Sequence, residues 1–384
     1  MGNGFRGAAS VRRSALPRPS LRLRHDAQIR GLPSVERLRL SIKFLATQLH
    51  PFAAGQRMTG IMNIHPSTQQ FSTAGRPTRR QVLKQLGLGA VGLSSVSFLA
   101  SRARANTASR GILQDISILQ FALNLEYLEA EYYTYAVTGH GIEQEGVDVT
   151  GQGRFGMTSV KPNPQVPFSD PDVQQYAAEI AQDERNHVIF IRAALNALGV
   201  EPVARPAINL NDSWDTLAQA AGLVPPGGTF NPFENDLNFL LGSFVFEDVG
   251  VTAYHGAAAL LSNGDILTAA AGILAVEAYH AGIIREELFS QHSDSVNMAV
   301  QQISDLRDAL DNPIDDDQGI IVNGSANLVP TDSNGVAYAR TAQEVLNIVY
   351  FAQNVSAGGF FPNGINAGSA SRPHPTPHPR PTPR

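Results

Sequence analysis

Residues 184–187 read Glu-Arg-Asn-His and residues 277–280 read Glu-Ala-Tyr-His. Each lies in a run whose buried-type residues recur every three or four positions. One is Val173, Ala177, Ile180, Glu184, His187, Ile191, Leu195; the other is Ile266, Ala270, Ile273, Glu277, His280, Ile284, Leu288. That period is the inward stripe of an α-helix, so carboxylate and imidazole point the same way as the aliphatic residues. Two further runs share it, each with a Tyr seven residues after a Glu: Leu119, Leu123, Glu126, Ala130, Tyr133, Val137, and Leu240, Phe244, Glu247, Val251, Tyr254, Ala258. The pattern predicts helices over about Ile112–Val137, from Ser169-Asp170-Pro171 to Leu198, Pro232–Leu261, and from the Asn263-Gly264 turn to Ser290. At 1.5 Å per residue each spans about 40 Å. The tight turn makes the last two an antiparallel hairpin, and residues 199–231 are long enough to cross from one end of a bundle to the other. The fold class is all-α: an antiparallel four-helix bundle with one long crossover.

Four carboxylates and two imidazoles therefore aim into one core, and no Lys or Arg shares their stripes. Such acids must either protonate or hold cations. Two helices that each bring a Glu, and two that each bring a Glu-x-x-His, are the ligand set of a dinuclear carboxylate site. The expected metal ligands are Glu126, Glu184, His187, Glu247, Glu277 and His280, with Tyr133 and Tyr254 hydrogen-bonded behind them. Oxygen-rich donors with one His per ion suit two Fe or Mn ions. One Glu-x-x-His arises often by chance; two copies, each following a Glu-x6-Tyr helix, make the signal specific. Glu129, one turn from Glu126, competes for the first-helix position. Glu126 is preferred because Tyr133 then has the same offset as Tyr254 from Glu247.

Outside this body the composition changes. The chain has 384 residues, 43% apolar and 16% charged, with no Cys, which excludes disulfides, thiolate metal sites and Cys nucleophiles. Residues 1–110 carry a net +16 and residues 111–384 a net −21. The acidic body lacks the basic stripe that a nucleic-acid partner requires. Thr78-Arg79-Arg80-Gln81-Val82-Leu83-Lys84, an uncharged run to Ala100 and Ala103-Arg104-Ala105 form the layout of an export signal, and the paired arginines fit the twin-arginine pattern. That predicts passage through the twin-arginine machinery to the periplasm or the exterior, a mature start near Asn106 and no stable membrane span in the mature chain. Residues 1–57 are expected to be disordered, as an over-extended start or as a transit peptide; the latter would direct the protein to a thylakoid lumen. The organisation is then 58–105 signal, 106–310 bundle, 311–367 an extension packed on it, and 368–384 a Pro-rich tail. A homo-oligomer is an open expectation.

The segments Leu-Asn-Leu-Glu-Tyr-Leu-Glu-Ala-Glu-Tyr-Tyr (123–133), Asp-Glu-Arg-Asn-His-Val (183–188), Val-Tyr (349–350) and Gly-Gly-Phe-Phe-Pro-Asn-Gly-Ile-Asn (358–366) resemble the ferritin-like family that includes plant desiccation-related and fungal stress proteins. The resemblance covers about residues 112–367. It implies a ferritin-like bundle, metal ligation by the six residues above, and a desiccation or oxidative-stress role. The expected activity is peroxide removal or iron oxidation. The alternative is a non-catalytic structural stress protein with a vestigial or purely structural metal site; a third reading uses loops 139–168 and 311–340 as a contact surface. Cage-type iron storage fits less well, given the long first loop and the C-terminal extension.

The remaining polar residues have plainer expected roles. Glu131, Asp183 and Asp248 fall off the seam and read as solvated or surface-paired. His140 and His255 read as surface or capping residues, and Trp214 as a packing anchor in the crossover. Asp315-Asp316-Asp317 reads as a solvated loop without the spacing of a Ca²⁺ loop. Thr341–Gln353 reads as a short amphipathic helix docked on the bundle, with Gly358-Gly359-Phe360-Phe361 folding back onto it.

Overall fold

The computed structural model describes residues 93–312, 314 and 316–368, with side chains from residue 111 onward. Four long helices carry the architecture: α1 (Leu93–Thr138), α2 (Pro171–Ala197), α4 (Asp236–Ala258) and α5 (Gly264–Ser290). Helix α1 packs chiefly on α2, and α4 on α5. The predicted starts of α2 and α5 hold because their caps hold. The Asp170 carboxylate accepts from the amides of Asp172 and Val173 with Pro171 behind it, and the Asn263 side chain accepts from Asp265 and Ile266. Buried Asp115 locks the α4–α5 turn from α1, accepting from the Ser262 and Asn263 amides at 2.8 and 2.9 Å.

Two helix starts differ from the expectation. Helix α1 begins at Leu93 instead of Ile112, because residues 93–110 contain neither Gly nor Pro to stop it. It therefore runs through Ala103-Arg104-Ala105, while residues 58–92 of the expected signal, residues 1–57 and the tail from residue 369 lie outside the described residues. Helix α4 starts four residues after Pro232, capped by Asn235. The crossover is also structured: β2 (Ile208–Leu210) pairs in parallel with β1 (Thr158–Val160) of the first loop, and α3 (Asp212–Ala221) follows. Trp214 of α3 is fully buried with its ring 5.0–5.5 Å from those of Tyr132, Phe246 and Phe360, the anchor role expected of it.

After α5 comes α6 (Asp294–Asp311), absent from the sequence reading, although Val296, Val300, Ile303 and Arg307 give it a buried stripe. A hairpin of two-residue strands, β3 (Ile321–Val322) and β4 (Ser325–Ala326), precedes α7 (Ala342–Tyr350), the expected short helix, which opens on a Thr341/Glu344 capping box and ends at Tyr350, before the expected Gln353. Phe360 and Phe361 fold back and are buried, with the Phe360 amide on the Val349 carbonyl at 2.9 Å. The extension approaches α4 so closely that a Cβ on Gly256 would lie 1.9 Å from the Arg340 carbonyl oxygen.

Several acids read as solvated are buried. Glu131 pairs with Arg205 of the crossover. Asp248 receives Arg285 at 2.7 Å and Arg307 at 3.1 Å. Asp317 receives Arg307 at 2.6 Å and Arg340 at 2.9 Å, and Asp316 faces Arg340 at 3.4 Å; Asp315 lies outside the described residues. The C-terminal extension covers part of the bundle surface: α7 packs on α4 and α6, and the Arg340 amide donates to the Thr252 carbonyl of α4 at 3.0 Å. Among the described residues only α5 is long and apolar enough to cross a membrane by length and composition. Its Glu277, His280 and Arg285 are buried against the rest of the fold.

Candidate metal centre

Helical periodicity carries all six predicted ligands to one place at mid-bundle. Glu126 comes from α1, Glu184 and His187 from α2, Glu247 from α4, and Glu277 and His280 from α5; all are buried. Donor atoms of Glu126, Glu184, His187 and Glu277 lie within 4.8 Å of one another, and so do those of Glu184, Glu247 and His280. The two sets share Glu184 and contain one imidazole each, with ring centroids 6.4 Å apart. His187 Nδ1 is 3.2 Å from Glu126, 3.5 Å from Glu184 and 3.6 Å from Glu277. His280 Nδ1 is 3.1 Å from Glu184 and 3.4 Å from Glu247.

Close as they are, these atoms do not satisfy one another. Among the described residues, eleven buried side-chain nitrogens and oxygens lack a hydrogen-bond partner, and eight of them belong to these six residues. They are one oxygen each of Glu126 and Glu247, both of Glu184 and of Glu277, and Nδ1 of both histidines. Folded proteins rarely leave such groups orphaned. Atoms that converge without aligning as donor and acceptor fit the sharing of cations, and a carboxylate-rich set with one imidazole per cluster fits a pair of Fe or Mn ions.

The surrounding groups fix this arrangement crosswise. The Tyr133 hydroxyl of α1 donates to Glu247 of α4, and the Tyr254 hydroxyl of α4 donates to Glu126 of α1. Both phenols are held well above their ordinary range, by burial first and then by the carboxylate each faces. Asp183, which lies off the seam, reaches His280 Nε2 at 3.4 Å and so backs the imidazole from the side opposite Glu184 and Glu247. Sequence reasoning missed that role, although Asp183 directly precedes Glu184. Gly250 was missed as well. A Cβ there would lie 2.2 Å from Glu277 Oε2 and 3.5 Å from Glu129 Oε1, so the absence of a side chain on α4 makes room for both carboxylates.

Electrostatics follow from burial. It pushes the carboxyls of Glu277 and Glu129 well above their usual range, with Glu184 and the other acids adding to the shift. Burial likewise raises Glu126 and Glu247, opposed by His187 and His280 respectively. Glu184 goes the other way: despite burial, the two histidines hold its carboxyl below the carboxylate range. Burial opposes protonation of His187 and His280, yet the facing carboxylates raise both above the usual imidazole range. Glu129 is buried in the wall of the centre, but the donor atoms that converge on His187 are those of Glu126. The His255 ring instead donates from Nδ1 to the Tyr338 carbonyl, 3.0 Å away, and His140 stands 3.5 Å from Glu145; neither joins the centre.

Comparison with known proteins agrees with this architecture. Residues 114–290 match the ferritin-like domain family. The chain is 31% identical over 278 residues to the ferritin-like catalase Nec2 of Nesocodon mauritianus, covering 67% of this chain and 85% of that one. It is 32% identical over 277 residues to the desiccation-related protein PCC13-62 of Craterostigma plantagineum, covering 67% and 84%. No solved structure matches it.

Proposed function

Because the chain belongs to the ferritin-like family, we propose that it holds two Fe or Mn ions among Glu126, Glu184, His187, Glu247, Glu277 and His280 and uses them to remove peroxide. The observation that carries this reading is the set of eight orphaned donor atoms on those six residues and on no other cluster of the described chain. When bound, a pair of such ions supplies the two-electron change that peroxide dismutation requires. The protein's own contribution is positional. Tyr133 and Tyr254 hold Glu247 and Glu126 from behind, Asp183 holds His280, and buried Phe239 packs against the Tyr133 ring and helps keep bulk water away. One relative is named a catalase and another for desiccation. Both names suit a protein that meets peroxide under stress.

Export belongs to the same proposal. The Arg79-Arg80 segment and the run to Ala105 would send the protein out already folded and metal-loaded. Replacing both arginines by Lys is expected to retain it in the cytoplasm.

The test is to load the chain with Mn or Fe and follow O₂ release from hydrogen peroxide. The proposal expects sustained release that Glu184→Gln abolishes. O₂ consumption on adding Fe(II), without release from peroxide, would reassign the centre to iron oxidation. Full metal occupancy with neither activity would leave a structural stress protein.

A further inference from the structure

A cavity of about 60 Å³ lies between α1, α4 and α7 and reaches the metal centre from outside the bundle. Its walls are apolar, formed by Phe121 and Leu125 of α1, Ala253 and Ala257 of α4, and Val345 and Ile348 of α7. Glu126, Glu129 and Tyr254 stand at its inner end. It exists because α1 packs mainly on α2 and α4 mainly on α5, while α4 turns Gly250, Ala253 and Ala257 toward the gap. Phe121, Leu125 and Ala253 are only half-buried and form a mouth to solvent.

Building on the peroxide reading, we infer that this cavity binds the alkyl or aryl body of an uncharged organic hydroperoxide, with its –OOH end at Glu126, Glu129 and Tyr254. Three observations select that class. The walls offer no cation, so the charge of an anionic ligand would be buried there without a partner. Those carboxyl groups and the phenol accept a hydrogen bond from an O–H donor at the one place where the cavity meets the centre. Hydrogen peroxide itself would gain nothing from an apolar wall. At about 10–15 Å³ per water-sized volume, the cavity suits an organic body of roughly four to six heavy atoms.

The overall reaction is ROOH + H₂O₂ → ROH + H₂O + O₂. The O–O bond of the organic hydroperoxide breaks and takes up two electrons and two protons. Hydrogen peroxide, the co-reactant, supplies both and leaves as O₂.

The chain has a single tryptophan, so its indole N–H gives one resonance. Trp214 lies against Phe246 and Phe360, which line the back of the cavity. Phenol, an uncharged body of the right size with one O–H donor, is titrated into the metal-free full chain while that resonance is followed. A saturable shift is expected, weakened at least ten-fold in Ala253→Phe and in Ala257→Leu, with circular dichroism showing which variants fold. No saturable shift in the unaltered chain, or an unchanged one in a folded variant, overturns the inference without touching the peroxide reading. In the metal-loaded chain, tert-butyl hydroperoxide is expected to disappear only when hydrogen peroxide is present. If hydrogen peroxide alone is turned over, the inference falls and the peroxide reading stands. If neither is consumed, the peroxide reading falls with it.

Discussion

Two clusters of buried acids lie on opposite sides of α4 and α5, and they are built on opposite principles. In the outer cluster Asp248, Asp311, Asp316 and Asp317 meet Arg285, Arg307 and Arg340. Arg340 alone reaches Asp311 at 2.7 Å, Asp317 at 2.9 Å and the Thr252 hydroxyl at 2.9 Å. In the inner cluster five glutamates and two histidines face one another with no Lys or Arg partner among the described residues. The first cluster is completed by the chain itself and ties the C-terminal extension to the bundle. The second is left incomplete, which is the physical signature of a site that expects something from outside. Asp308, Asp311 and Asp316 also come close enough to hold an ion, but Arg340 already pairs with two of them.

The comparison predicts opposite signs for the same kind of mutation. Arg340→Ala strips the cation from buried Asp311 and Asp316 and leaves Asp317 with Arg307 alone, and is expected to cost about 3–5 kcal/mol of unfolding free energy in denaturant titrations. The folded fraction should keep its metal. Glu277→Gln in the inner cluster should instead stabilise the metal-free chain, by about 1 kcal/mol, because a neutral amide replaces a carboxyl whose ionisation burial and the neighbouring acids oppose. The same change should abolish metal binding. A destabilised metal-free Glu277→Gln would erase the distinction between the clusters.

The pH response sharpens it further. Glu126, Glu129, Glu247 and Glu277 all have folded-state values above the ordinary 4.5, so the folded chain keeps protons that the unfolded chain releases. Metal-free stability should then fall as pH rises from 4.5 toward neutrality. Glu184, shifted down, contributes stability already complete above 4.5 and lost only in stronger acid. The histidines, shifted up, contribute in full below 6.5 and lose that contribution as pH rises through their raised values. Mn or Fe should reverse the slope, since ions displace those protons and bind better as pH rises. Thermal melts from pH 5 to 7.5, with and without metal, read both slopes. The smallest effect belongs to Tyr254→Phe: loss of the hydrogen bond to Glu126 should cost about 1 kcal/mol and leave the number of bound ions unchanged.

The inner cluster was legible in the sequence because its residues share the helical seam with the core. The periodicity that identifies α1, α2, α4 and α5 also points Glu126, Glu184, His187, Glu247, Glu277 and His280 inward. The outer cluster was not legible. A helical-wheel reading assigns Asp248 to solvent, and only the fold reveals that Arg285 and Arg307, 37 and 59 positions away, cover it. Glu131 was misread for the same reason, its partner Arg205 lying 74 positions on in the crossover. Helices α3 and α6 are harder to read because their buried stripes, such as Val296, Val300 and Ile303, are short and carry no repeated polar signature.

The central claim rests on metal content. The full chain and its Glu184→Gln variant, produced with Fe and Mn both supplied, would be analysed for bound elements, the variant subtracting whatever the His-bearing tail collects. About two Fe or Mn per chain, absent from the variant, is the predicted result. A well-folded chain without bound Fe or Mn, or with the same content in both proteins, would contradict the account.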